Sequence, residues 1–65
     1  MRRELTIKAF NLIVGDLIEC GDSWLEVCDI KGFWANRNGF MLHVFCQGAE
    51  IYMSIHNDVK VLRYA

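Results

Sequence analysis

Sixty-five residues with a net charge of −1 and 54% apolar content describe one small domain, which buries only about 60% of the surface its unfolded chain exposes. That length excludes a second domain, and a near-neutral balance supplies no global drive toward nucleic acid. No apolar run approaches the ~20 residues of a membrane span. Glu4, Lys8 and Asn11 interrupt the stretch after Met1-Arg2-Arg3, so no signal peptide is read and a cytoplasmic location is expected.

Period-2 alternation dominates the chain, and proline is absent. Thr6 and Lys8 alternate with Leu5, Ile7 and Ala9 in a first short strand. The stretch from Lys8 to Val14 is irregular and fits an isolated helical turn. Two β-branched runs then flank a Gly15-Asp16 corner, and Asp16 to Cys20 reads as a second strand. Cys20-Gly21-Asp22-Ser23 is a turn cluster. Trp24 to Trp34 is long enough for a strand with a bend, placed at Gly32. Ala35-Asn36-Arg37-Asn38-Gly39 is a hairpin tip with the Asn-Gly turn signal.

Phe40, Leu42, Val44 and Cys46 then share one face of a strand, with Met41, His43 and Phe45 on the other. Apolar residues on both faces predict a central strand. After Gln47-Gly48-Ala49-Glu50, residues Ile51, Met53 and Ile55 alternate with Tyr52, Ser54 and His56. His56-Asn57-Asp58 is long enough for one 3₁₀ turn, and Val59 to Tyr64 closes the chain. The pattern predicts an all-β fold, a small five-stranded half-open barrel of the SH3-like kind. Pairing the last strand with the first would remove the exposed edges.

The residues Leu12, Val14, Gly15, Asp16, Ile18, Gly21, Trp24 and Val27 stand in an order that resembles the opening of SH3-like barrels of the translation-protein type. The amino-terminal domain of elongation factor P and KOW-type domains are examples, and small phage and bacterial proteins look similar. The resemblance covers the first half of the chain and implies the barrel, with ribosome or RNA contacts as the family's analogy. It does not carry over the lysine-bearing hairpin tip of elongation factor P. Phe33 to Gly39 contains no lysine and only Arg37 as a base.

Charge is unevenly distributed. Residues 15–30 hold Asp16, Glu19, Asp22, Glu26 and Asp29 and no base, a local charge of −5, while the remainder carries +4. Such asymmetry orients a partner or simply keeps a surface soluble. Cys20, Cys28 and Cys46 are an odd number of thiols, expected reduced, and two lie inside apolar runs that suit a core position. With His43 and His56 they are the metal-ligand candidates. His43 and Cys46, though close in sequence, fall on opposite faces of a strand, so no metal or cofactor is expected. Nothing supplies a nucleophile with its base or a phosphate-cradling loop, so no catalysis is expected.

Two binding readings remain. Arg2, Arg3 and Lys8 on the first strand and Lys60 and Arg63 on the last form a basic rim for nucleic acid, with Phe33, Trp34 and Tyr52 as stacking surfaces. Alternatively, Phe33, Trp34, Arg37 and Tyr52 engage a protein, as in a phage or mobile-element accessory protein that binds a host protein, or the acidic face does so. The plainer reading of the aromatics is that Trp24, Phe40 and Phe45 are core and that Trp34 and Tyr52 only cap an end of the barrel. An exposed edge strand also offers pairing with a second copy, a homodimer. A membrane partner is not expected.

Overall fold

The computed structural model describes residues 1–37 and 39–64. It has six strands: β1 (Arg2–Lys8), β2 (Leu17–Cys20), β3 (Ser23–Asn36), β4 (Gly39–Cys46), β5 (Ala49–Ser54) and β6 (Asp58–Tyr64). One 3₁₀ turn, Ala9–Asn11, follows β1, inside the stretch where a helical turn is expected. No α-helix occurs among the described residues, and the all-β expectation holds.

The strands form one antiparallel sheet in the order β1-β6-β2-β3-β4-β5. β6 pairs with β1 from Arg2 opposite Tyr64 to Lys8 opposite Asp58, the predicted union of last strand and first. The strand count and the closure are corrected. Six strands form rather than five, because each alternating stretch makes its own ladder. The β1–β6 pairing does not close the sheet, because β6 continues to β2 and leaves β1 and β5 as the two edges.

The Gly15-Asp16 corner sets the entry to β2. Asp16 N–H donates to the Ile13 carbonyl at 3.2 Å, and Gly15 has φ +100, the positive value that a type II turn requires at its third residue. Gly15 N–H and the Asp16 carbonyl then bond the main chain of Val27 at 2.9 and 2.8 Å. The corner is thereby stitched onto β3 before β2 begins. β3 is interrupted by register shifts between Val27 and Asp29 and between Ile30 and Gly32. The second shift is the bend predicted at Gly32. The hairpin tip falls as expected between Asn36 and Gly39, though Asn38 lies outside the described residues. No 3₁₀ turn forms at His56-Asn57-Asp58. Asn57 N–H returns to the Ser54 carbonyl at 3.1 Å in a simple turn.

The core is made of small and branched side chains: Ala9, Leu12, Ile18, Val27, Leu42, Val44, Cys46 and Val61. Leu42, Val44 and Cys46 come from one face of β4, as its alternation predicts. β4 is flanked by β3 and β5, the central place expected of it. Only Cys46 of the three cysteines is buried; Cys20 and Cys28 are exposed free thiols. Trp24, Phe40 and Phe45, expected in the core, are 36%, 49% and 37% exposed. The reason is position along the strands. Phe40 lies on the inward face of β4 but near the hairpin tip, beyond the apolar cluster, whereas Trp24 and Phe45 occupy the opposite, outward face.

Candidate functional site

The chain holds eight aromatic residues, and all eight are exposed: Phe10, Trp24, Phe33, Trp34, Phe40, Phe45, Tyr52 and Tyr64. Large aromatic rings are the residues that domain cores and interfaces use most heavily. Here none is spent on the core, and they concentrate on the long β3–β4 hairpin and its neighbour β5.

The register assigns them to two faces. Trp34 is paired with Met41, and His43 with Tyr52, which puts Trp34, His43 and Tyr52 side by side on the outward face. His43 stacks on Tyr52 with centroids 4.3 Å apart and planes at 15°. Trp34 meets both edge-on, at 5.5 Å from Tyr52 and 6.4 Å from His43. His43 Nε2 lies 3.2 Å from Glu50 Oε1. On the inward face, Phe33 and Phe40 meet edge-on at 6.2 Å. Phe10, Ile30, Phe33, Leu42 and Ile55 line a cleft of about 310 Å³. Phe10 is carried there by the 3₁₀ turn, whose main chain is held by the bond from Phe10 N–H to the Ile55 carbonyl at 3.1 Å.

Of the residues predicted for partner binding, the structure joins Trp34 and Tyr52, sets Phe33 on the opposite face and leaves Arg37 at the hairpin tip. The sequence does not mark Phe10, Phe40, Ile55 and His43 as members of these surfaces. Phe10 belongs to an irregular stretch with no alternation to read. Phe40 is marked only by its closeness to the Asn-Gly turn.

The basic residues sit close together but are already engaged. β1 and β6 are adjacent, yet alternation sends Arg2, Lys8 and Lys60 to one face and Arg3 and Arg63 to the other. Arg63 donates from Nε and a terminal nitrogen to the two carboxylate oxygens of Asp16, both at 2.8 Å, and from the same terminal nitrogen to the Asn11 carbonyl at 2.9 Å. Lys8 lies 2.8 Å from Asp58. Lys60 sits between Glu4 at 4.0 Å and Glu19 at 3.9 Å. Arg2 donates to the Gly15 carbonyl at 3.2 Å and covers the Tyr64 ring at 4.2 Å. Arg3 alone of the five holds no carboxylate or carbonyl among the described residues. From the acidic segment Asp16 and Glu19 thus lie against bases of the rim, while Asp58 and Glu4 engage Lys8 and Lys60 from β6 and β1 themselves.

Asp16 is the buried charge of this system, 1% exposed. Burial pushes its carboxyl pKa up, but the Arg63 hydrogen bonds, the Ile13 N–H at 3.1 Å and the charges of Arg63 and Arg2 outweigh that and hold it below the ordinary value. The same pairing raises the Arg63 guanidinium. Burial, with Cys28 and Cys20 nearby, pushes the Cys46 thiol up. No group of three or more His, Cys, Asp or Glu converges to hold a metal among the described residues, and His43 and Cys46 do fall on opposite faces. Among the described residues no helix is long and apolar enough to cross a membrane.

No family model, curated protein or solved structure matches this chain.

Proposed function

We propose that this chain is a non-catalytic module that binds a protein partner through its aromatic hairpin, built on a sheet of the SH3-like barrel type. The observation that carries this reading is the placement of the aromatics. A 65-residue domain that leaves every aromatic ring exposed has set aside the side chains that most often anchor interfaces. Phe33 and Phe40, with Phe10 across the cleft, form the apolar anchor site, whose volume suits one large side chain from a partner. Arg37, in the turn that joins β3 to β4, adds a cation to the same hairpin. The Trp34–His43–Tyr52 group braces the hairpin from behind.

Nucleic acid is the weaker reading because a phosphate would have to displace carboxylates already on Lys8, Lys60 and Arg63. The test places a photo-crosslinking amino acid at position 33 and, as a control, at position 26, in the cell of origin. The reading expects a discrete protein adduct from position 33 that Phe40→Ala and Arg37→Glu diminish, and none from position 26. A salt-sensitive mobility shift on RNA or DNA, abolished by Arg3→Glu with Lys60→Glu and unaccompanied by a protein adduct, overturns it in favour of the basic rim.

A further inference from the structure

The two edges of the sheet are built differently. β1 carries Arg2, Arg3, Glu4 and Lys8 in seven residues, and Lys8 is tied to Asp58. Charged side chains along an edge strand, lysine above all, are how sheets avoid pairing with other chains. β5, Ala-Glu-Ile-Tyr-Met-Ser, has no lysine and no proline. Its register with β4 runs without a shift from Met41 opposite Ser54 to Cys46 opposite Ala49. Its single charge, Glu50, is turned to His43 at 3.2 Å. One edge is guarded and the other is not.

The hydrogen-bond phase shows which main-chain groups the open edge presents. Ile55 N–H donates to the Phe40 carbonyl at 3.1 Å. In an antiparallel ladder the residues that bond a given neighbour alternate, so Met53, Ile51 and Ala49 also bond toward β4. Glu50 and Tyr52 direct their N–H and C=O groups away from it. The edge ends at Ser54, whose carbonyl already accepts from Asn57 N–H at 3.1 Å.

We propose that β5 pairs antiparallel with β5 of a second copy about a two-fold axis at Ile51, joining two six-stranded sheets into one. This proposal rests on edge composition and backbone phase, not on the partner assigned to the hairpin. In this register Glu50 stands opposite Tyr52 of the second copy and Tyr52 opposite its Glu50, and these two pairs exchange main-chain bonds in both directions. On the inward face Ile51 meets Ile51, and Ala49 meets Met53. The neighbouring registers are worse. An axis at Glu50 sets two carboxylates opposite each other, and an axis at Tyr52 relies on the carbonyl of Ser54 that Asn57 occupies. A cleft of about 430 Å³ flanks the same edge, lined by Ile18, Ile51, Met53 and Val59 with Glu19 and Lys60. Its lining is mixed, since Thr6, Asn57 and Asp58 also face it, so it leaves room beside Ile51 and Met53 but adds no apolar surface of its own to the pairing. The two-fold axis also satisfies the closure that a homodimer needs, since each copy offers the same strand.

Sedimentation velocity from low micromolar to near-millimolar protein tests the pairing, together with amide hydrogen exchange at both ends of that range. The expected result is a rise toward twice the 7.6 kDa monomer mass, with the Glu50 and Tyr52 amides gaining protection as the dimer forms. Glu50→Pro removes an outward N–H that β4 does not use, a position where edge strands tolerate proline. It is expected to weaken self-association roughly tenfold or more and to leave the circular dichroism of the monomer unchanged. The exchange measurement needs no variant, so it decides the matter if the proline disturbs folding. A chain that stays monomeric throughout, a dimer whose Glu50 and Tyr52 amides exchange as freely as in the monomer, or a folded Glu50→Pro protein that dimerises undiminished overturns the pairing. None of these outcomes alters the cross-linking expected at position 33.

Discussion

Arg63 grips Asp16 with two hydrogen bonds of 2.8 Å each, across 47 residues of sequence. The pair ties β6 to the turn that opens β2, with Asp16 buried and the Arg63 side chain 26% exposed. Breaking a buried pair by removing one partner strands the other, so Asp16→Ala is expected to cost about 3 kcal/mol. The folded-state pKa of Asp16 is depressed. Its contribution is therefore complete above the unfolded aspartate value of about 3.9 and is lost as pH falls through the folded value. Melting temperature followed from neutral pH downward is expected to hold until about pH 5 and then decline. Asp16→Asn should melt lower at neutral pH and show a shallower acid decline. An unchanged acid decline in that variant would mean the pair is not its source.

Gly15 and Gly21 both have positive φ, but at different values, +100 and +62. The second lies in the left-handed region that asparagine visits; the first lies beyond it. A Cβ at either position meets nothing within 4 Å, so any cost comes from backbone strain rather than from collision. Gly21→Asn is expected to cost less than about 1 kcal/mol, and Gly15→Ala about 1–3 kcal/mol. Urea unfolding of the two variants compares them directly, and equal losses would show that the corner tolerates side chains.

The three thiols separate by burial. Cys20 and Cys28 are exposed, whereas Cys46 is buried and its pKa is raised by that burial. A thiol-reactive dye is expected to modify two cysteines quickly in the native protein and the third only at the rate of unfolding. Cys46→Ser would bury a hydroxyl among Val44, Val27 and their neighbours, at about 1–3 kcal/mol. Rapid reaction of all three thiols in native conditions would contradict the assigned core.

Alternation makes β4 and β5 legible in the sequence, because a period of two names the inward face directly. The β1–β6 union is legible too, since two alternating terminal stretches in a small sheet have few other partners. Burial is not. Phe40 shows that facing inward is not the same as being covered: the hairpin carries it past the end of the apolar cluster. The bulge after Val27 has no glycine to mark it. Within the candidate surface, Phe33, Trp34 and Tyr52 are readable as exposed aromatics, and Phe33 and Trp34 must part to opposite faces as strand neighbours, but which of them faces inward depends on the two register shifts, after Val27 and before Gly32. The Arg63–Asp16 pair cannot be read at all, because nothing local links residues 47 apart. That pair engages the Arg63 guanidinium with a carboxylate.

The outward aromatic group gives the last prediction. Trp34 meets Tyr52 edge-on at 5.5 Å, and such pairs contribute about 0.5–1.5 kcal/mol beyond area burial. They join the hairpin to β5 near its free end, where the apolar core no longer reaches. A double-mutant cycle with Trp34→Ala and Tyr52→Ala, read by chemical unfolding, is expected to give a coupling energy in that range. The consequence reaches the other face. Trp34→Ala should raise amide exchange at Phe33 and Phe40 on the hairpin while leaving β1 and β6 unaffected, because local opening accompanies the loss of local contacts. Phe33 cross-linking should then fall although position 33 itself is unaltered and its cleft chemically intact. A coupling energy of zero with unchanged hairpin exchange would make Trp34 a surface ring without a bracing role, free to contact a partner directly.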